Sequence, residues 1–271
     1  MSIGVLNNIS SLIAENAVSN TQANLQSTLQ QLSTGLKINS GSEDAAGLSI
    51  ADGLGANIAA LTQSSQNASD GIGLLQTADG ALSQVTTQLN RATTLATEAG
   101  DGGLSTAQAT ALDTEFQSIL SEITQIGSTT NFNGTAVFGG SASTFTSDGT
   151  STGATTTTTA IAALTPAALG LTGNLLTATA AQTALTAITA AISTIAANRG
   201  SIGASVNQLT ADSNVENTEV QNLTSAQNNV QNADIAKTTS NLTQFNILEQ
   251  TGFDALSQSS QAQQNVLKLI Q

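Results

Sequence analysis

Apolar residues recur along most of this chain at alternating spacings of three and four, the spacing that keeps one helix face turned toward a partner. Leu185, Ile188, Ile192, Ile195, Arg199, Ile202, Val206, Leu209, Ser213, Glu216, Val220, Leu223, Gln227 and Val230 form one such seam. It holds ten apolar residues of fourteen, where a 39 % apolar composition would place about five or six. The series Ala51, Leu54, Ile58, Leu61, Ser65, Ala68, Ile72, Leu75, Asp79, Leu82, Thr86, Leu89, Thr93, Ala96 scores the same, and Leu112, Phe116, Ile119, Ile123 and Ile126 continue the spacing without a miss. Three helices packed together are predicted. One over 185–230 would be about 70 Å long at the usual rise per residue, far beyond an ordinary globular helix, so the bundle is expected to be elongated.

Helix punctuation agrees. Gly100-Asp101-Gly102-Gly103 is a breaker, and Ser105 with Gln108 three residues later fits a capping box opening the helix of Leu112–Ile126. The helices on either side become antiparallel neighbours. Ser40-Gly41-Ser42-Glu43-Asp44 separates an N-terminal helix from the next, with Ser42 as N-cap and two acids near the positive end of the helix dipole.

The two ends are amphipathic. Leu25, Leu29, Leu32 and Leu36 make a leucine stripe, and Leu242, Phe245, Leu248, Phe253, Leu256, Val266, Leu267 and Ile270 give the other end several apolar faces. Single helices over 1–40 and 231–271 cannot bury themselves; pairing with each other, and then with neighbouring subunits, is the expected solution. From Gly139 to Ala160, twenty of twenty-two residues are Gly, Ala, Ser or Thr. That stretch cannot build a large core and should sit outside the bundle. Phe145 with its flanking Thr residues is expected to begin a strand that returns through Thr155–Ile161 as a short hairpin. The fold class is therefore mainly α: an elongated antiparallel bundle plus terminal coiled-coil helices, with a short β-hairpin in the middle.

Composition narrows the function. The 271 residues include no Cys, His, Trp or Tyr. Disulfides, thiolate or histidine metal sites and histidine-based hydrolysis are excluded, and no cofactor or metal is expected. Eighteen acids against five bases give net charge −13, with Lys37, Arg91, Arg199, Lys237 and Lys268 scattered, a field that repels phosphate backbones and anionic lipid. Nucleic acid is not an expected partner. Met1-Ser2-Ile3-Gly4-Val5-Leu6 shows neither a basic region nor a long apolar run, and no stretch of about 18 apolar residues stands out, so neither a cleaved signal peptide nor membrane insertion is expected. Charged residues are only 8 % of the chain, a composition suited to packing.

Candidate chemistry reads mostly as structure. Glu43 and Asp44 point apart on a helix and serve its positive end. Asp101-Gly102-Gly103 and Asp148-Gly149 lack the alternate ligands and terminal Glu of a calcium loop and read as turns. Arg199, at a seam position, either sets register as a buried cation or snorkels outward. The Ser/Thr tract reads as solvated low complexity, with O-linked sugar as the sharper alternative.

Leu32-Ser-Thr-Gly-Leu-Lys-Ile-Asn-Ser40 followed by Glu43-Asp44-Ala-Ala-Gly-Leu-Ser-Ile50 resembles the N-terminal signature of bacterial flagellin, and Asn131-Phe-Asn-Gly134 resembles the turn that ends that family's N-terminal region. Asn198-Arg-Gly-Ser-Ile-Gly203, Ala233-Asp-Ile-Ala236 and Asn265-Val-Leu-Lys-Leu-Ile270 resemble its C-terminal counterparts. The match spans 1–138 and 170–271.

The resemblance implies a structural subunit that polymerises into the flagellar filament, the propeller for swimming, with the hook–filament junction protein of the same system as the alternative. It implies a terminal coiled coil of 1–40 with 231–271 lining the lumen, a bundle of 41–135 with 176–230 around it, and a short variable region at 136–175. Assembly contacts are expected from Leu25, Leu29, Leu32, Leu36, Leu242, Phe245, Leu256, Leu267 and Ile270. Implied partners are copies of the chain, the flagellar type III export apparatus, an export chaperone, the filament cap and hook-junction proteins. The implied location is extracellular, in the filament, after secretion without a cleaved signal. A contact with an animal innate-immunity receptor is implied at Arg91, Leu95 and Glu115. Some flagellins carry a zinc protease in the variable region; with no His and a short region, none is expected here.

Overall fold

A computed structural model describes residues 8–147 and 155–270, apart from the side chains of Val266, Leu267, Leu269 and Ile270. The described residues form five helices: α1 (Ile9–Thr34), α2 (Ala45–Ala99), α3 (Thr106–Thr129), α4 (Ala178–Gln231) and α5 (Ile235–Ile270). Between α3 and α4 lie four strands, β1 (Asn131–Phe132), β2 (Thr135–Ala136), β3 (Gly140–Thr146) and β4 (Thr155–Ile161). The fold is mainly α with a small antiparallel strand region, as the periodicity predicts. The chain divides into two compact units, residues 1–55 with 223–271 and residues 56–222.

In the second unit, burial follows the heptads. On α2 the side chains of Leu61, Ala68, Leu75, Leu82, Leu89 and Ala96, each seven residues after the last, are fully buried, and on α4 Ile188, Ile195, Ile202 and Leu209 form a matching row. The alternate seam positions, such as Ile72 and Val206, are half-buried and pack against the same core. Two polar contacts report the antiparallel register: Ser65 Oγ meets Ser213 Oγ at 2.9 Å, and fourteen residues along α2 and fourteen back along α4 the Asp79 carboxylate meets Arg199. Helix α3 adds Phe116, Ile119, Leu120 and Ile123 to this core. One window of α4 is long and apolar enough to cross a membrane by length and composition, which the sequence reading did not foresee. Its helix buries Ile188, Ala191 and Ile195 inside the bundle.

Caps hold α3 in place as expected: Ser105 Oγ accepts from the Gln108 N–H, and Gln108 Oε1 accepts from the Ser105 N–H at 2.9 Å. At the start of α2 the expectation needs correction. Ser42 lies in the preceding turn, and it is Asp44 whose Oδ1 accepts the Gly47 N–H at 2.9 Å, while Glu43 accepts from the Asn39 N–H. A carboxylate adjacent to the first helical residue reaches the orphan N–H groups; a hydroxyl three residues earlier does not.

The two hairpins differ in origin. Asn133 and Gly134 both have positive φ, 50° and 79°, joining β1 to β2 through the tight turn that Asn-Gly favours. β3 and β4 pair in antiparallel register from Gly140↔Ile161 to Thr146↔Thr155. The return strand is the one expected, but Phe145 falls near the end of β3 instead of its start. Asp148 and Gly149 lie outside the described residues. One face of this hairpin is buried through Thr144, Thr146 and Thr159, because it lies on α2 where Gly71 leaves room: a Cβ there would collide with the Thr144 side chain. The end of β4 and the segment after it enter the core through Ile161, Leu164, Leu169, Leu171 and Leu175. Its approach to α3 is so close that a Cβ at Gly127 would strike the Leu164 carbonyl.

Ile195, 1 % exposed, tests the heptad row. Ile195→Ala should lower stability in urea denaturation by about 2–5 kcal/mol, whereas Ile247→Ala, at an exposed site, should stay within about 0.5 kcal/mol; equal losses would refute the assignment of the core.

Candidate assembly surfaces

The first unit is built from the two ends of the chain. Helices α1 and α5 run antiparallel: Asn8 Nδ2 donates to Ser259 Oγ at 2.9 Å, and Gln22 Nε2 donates to Glu249 Oε1 at 3.1 Å. Gly252 meets Val18 so closely that no Cβ would fit. Asn8 caps α1 through the Ser11 N–H, and Gly35, with φ 74°, ends it. That corrects one expectation: Leu36 is not on the helical stripe but in an antiparallel bridge to Asn232, because the left-handed Gly35 turns the chain out of the helix. Beside it the Lys37 N–H donates to the Gln231 carbonyl at 2.6 Å and the Ala233 N–H to the Gly35 carbonyl at 2.9 Å. Asp234 then opens α5, its Oδ1 accepting from the Lys237 N–H.

This pair buries little. On α1 and α5 only Val18, Thr28 and Thr238 are fully buried among the described side chains. Leu25, Leu32, Leu36, Leu242, Phe245 and Leu256 are half-buried, and Leu29 is 48 % exposed. The side chains of Leu267 and Ile270 lie outside the described residues. Around this half-formed seam, Ile9, Leu12, Ile13, Ile235, Ile247, Leu248 and Phe253 are exposed. Seven large apolar side chains on two neighbouring helices are more than the scattered exposure of a monomer's surface. The period of the leucine stripe points to these helices, but it does not reveal that the widest exposure falls on Ile9–Ile13 and Ile247–Phe253.

Glu15 is the one charged residue of α1, and α5 carries Lys237, Glu249, Asp254 and Lys268. The threonine hydroxyls are satisfied within the helices. Thr21 and Thr28 on α1, and Thr239, Thr243 and Thr251 on α5, each donate to the carbonyl four residues back at 2.7–3.0 Å. A neighbour covering these faces strands none of those threonine donors.

In the second unit the ionisable groups are paired or spaced. Arg91 contacts Glu115 on α3 through Nε at 2.8 Å, both side chains exposed. Leu95, expected to join them, is 1 % exposed in the core, so an incoming protein meets Arg91 and Glu115 and not Leu95; it lies off the heptad row, on a wider buried face of α2 that also takes in Ala92 and Ala99. Arg199 grips Asp79 with both nitrogens, Nε at 2.7 Å and Nη2 at 3.1 Å. The hydrogen bond from Arg199 holds the Asp79 carboxyl below its usual range, against a smaller opposing effect of burial. Arg199 is thus half-buried and paired, between the two roles open from sequence. Glu216, a miss in the seam pattern, is 5 % exposed and accepts from Ser64 Oγ. Sequence flags it only as an acid at an apolar position; Ser64, 152 residues away, carries no signal. Among the described residues no three His, Cys, Asp or Glu converge as metal ligands.

The family model of the bacterial flagellin N-terminal helical region matches residues 5–143, and that of the C-terminal helical region matches residues 185–270. The chain belongs to the bacterial flagellin family. Flagellin is a structural protein family, not an enzyme family. Flagellin 1 of Proteus mirabilis is 40 % identical over 133 residues, 49 % of this chain and 36 % of that protein, and a flagellin of Serratia marcescens is 42 % identical over 127 residues, 47 % of this chain and 36 % of the relative. The matches thus span about a third of the length of these relatives. The crystal structure of Bacillus cereus flagellin superposes with TM-score 0.50 at 30 % identity, covering 55 % of this chain and 88 % of that one.

The ion pair at the seam makes a testable statement about this flagellin. Asp79 has its folded pKa lowered, so its contribution is present above the ordinary aspartate value and is lost as pH falls through the folded value. A double-mutant cycle of Asp79→Asn and Arg199→Gln at neutral pH should give a coupling of about 0.2–1 kcal/mol, given that both side chains are over a third exposed. The coupling should shrink in high salt and vanish in acid; a coupling that grows on acidification would refute the assignment.

Proposed function

We propose that the chain is a filament subunit that polymerises with copies of itself through its terminal helices. The observation that carries this is the exposed apolar surface of α1 and α5, in a pair that buries only three of its described side chains. Two helices so weakly supported gain by covering that surface, and threonine hydroxyls already satisfied within the helices lower the desolvation cost of covering it. Identical surfaces on every copy, meeting head to tail, generate a helical polymer.

In this reading residues 1–40 with 231–271 form the inner layer of an extracellular flagellar filament, 41–135 with 176–230 the layer around it, and 136–175 the outermost segment. Export through the flagellar apparatus, with a chaperone, the cap and the hook-junction proteins as partners, follows from the family. The filament transmits motor torque by packing alone. Deletion of residues 1–20 or 255–271 should abolish polymerisation, while circular dichroism of the monomer retains a folded bundle; normal filaments from either truncation under the electron microscope would overturn the proposal.

The host-receptor contact belongs to the same reading, placed at the exposed Arg91–Glu115 pair with Leu95 supporting it from beneath. Purified Arg91→Ala monomer should then stimulate a receptor-reporter cell less than the parent chain. An unchanged dose response would remove the contact from Arg91.

A further inference from the structure

Glu216 continues the buried row of α4, seven residues after Leu209, where an aliphatic side chain would fit the pattern. Its Oε1 accepts from Ser64 Oγ on α2. The same Ser64 Oγ accepts, at 2.8 Å, from the N–H of Ser147, the residue next after β3. Asn67, one turn further along α2, donates to the Phe145 carbonyl at 3.2 Å. The outgoing end of the hairpin is thus tied to the α2–α4 seam through one serine whose hydroxyl is spent on the carboxyl group. The other carboxyl oxygen, Oε2, is buried without a hydrogen-bond partner.

We propose that Glu216 is a proton-controlled latch: protonated, it keeps the seam closed over Ser64 and holds the end of β3 in place, and ionised, it loosens that attachment. The reason is the unmatched oxygen. A neutral carboxyl tolerates one oxygen without a donor far better than a carboxylate, whose charge is spread over both and which has surrendered its water. Among the described residues the surroundings supply no compensating charge. Asp212 and Glu219 on α4 are acidic, α2 presents no ionisable residue between Asp52 and Asp70, β3 and β4 contain none, and Arg199, the nearest base along α4, is engaged by Asp79. Burial, opposed by the Ser64 hydrogen bond and reinforced by Asp212 and Glu219, raises the Glu216 pKa above the usual glutamate value.

An acid whose folded pKa is raised supports the fold fully below its unfolded value and loses that support as pH rises through the folded one. This is opposite in sign to Asp79, whose window lies below the ordinary aspartate value, so the two effects separate along the pH axis. The opening expected at neutral pH is local, at the hairpin's attachment.

Amide hydrogen exchange of the full-length monomer, followed by NMR between about pH 4 and about pH 8 and corrected for intrinsic exchange, tests the latch. Protection of the Ser147 amide should fall several-fold as pH rises in the parent chain. It should be independent of pH in Glu216→Leu, which completes the apolar row. In Ser64→Ala the protection should be low at every pH, while the Glu216 carboxyl, observed by carbon-13, still titrates above the usual glutamate range. Asp148→Asn, which changes the acid adjacent to Ser147 in sequence, should leave the pH dependence in place. The proposal fails if Glu216→Leu retains the parent's pH dependence, if Asp148→Asn abolishes it, or if the Glu216 carboxyl of the parent chain titrates at the ordinary value. That last measurement decides the matter even if a variant does not fold.

Discussion

The seven-residue recurrence of buried side chains on α2 and α4 is the constraint on which the second unit depends. Once Leu61, Leu75 and Leu89 on one helix and Ile188, Ile195 and Ile202 on the other must all face inward, the faces that two helices of more than fifty residues turn to each other are set. A slip by whole heptads would keep both rows inward, so the rows alone leave the register open in steps of seven residues. The polar contacts select among those registers. Ser65 with Ser213, and Asp79 with Arg199, occupy seam positions at the rim, where a misaligned pairing would leave a carboxylate against a hydroxyl or an alkyl group. Helix α3, the hairpin and the segment from Ile161 to Leu175 then fill the sides of a core whose axis is already set.

The first unit follows the opposite principle. Its helices have clear apolar periodicity, yet among the described side chains pairing them conceals only Val18, Thr28 and Thr238. What stabilises them locally is backbone chemistry: the Asn8 and Asp234 caps, the Gly35 turn, and the bridge of Leu36 to Asn232. These devices define where each helix starts and stops and leave its faces unused. Threonine contributes to the same economy. Bonded back to its own helix, it presents a methyl group and a satisfied oxygen, a surface that water and protein can cover at nearly equal cost.

The helices and their seams were legible because a 3.5-residue period is long-range order that many residues share, so that misses such as Arg199 and Glu216 do not erase it. The Asn-Gly turn and the Ser105 box were legible for a different reason, since their geometry is contained within four residues. Features decided by a partner distant in the chain were not. The end of α1 at Gly35 interrupts a stripe that continues in the sequence to Leu36, and Asp44 supplants Ser42 because the helix begins later than the breaker suggests. β3 starts at Gly140 among residues too small to carry a pattern. Leu95 shows the limit for a candidate site: similarity to a family indicates a position, while its burial, off the heptad row beside Ala92 and Ala99, depends on packing that the seam does not encode.

The bridge between Leu36 and Asn232 also sets an order of events. It joins two points almost two hundred residues apart, and the helix preceding the first finds its partner only in the helix following the second. A chain that emerges from one end holds all the contacts of residues 56–222 before its last segment is free, but it cannot complete α1 against α5 until then. Closing so long a loop on an open chain is slow and entropically unfavourable; once the intervening bundle has folded, far fewer residues remain to be ordered. The leading helix therefore spends the whole of the chain's emergence without its mate, with Val18 and Thr28 uncovered, and the trailing helix is the one that ends the wait.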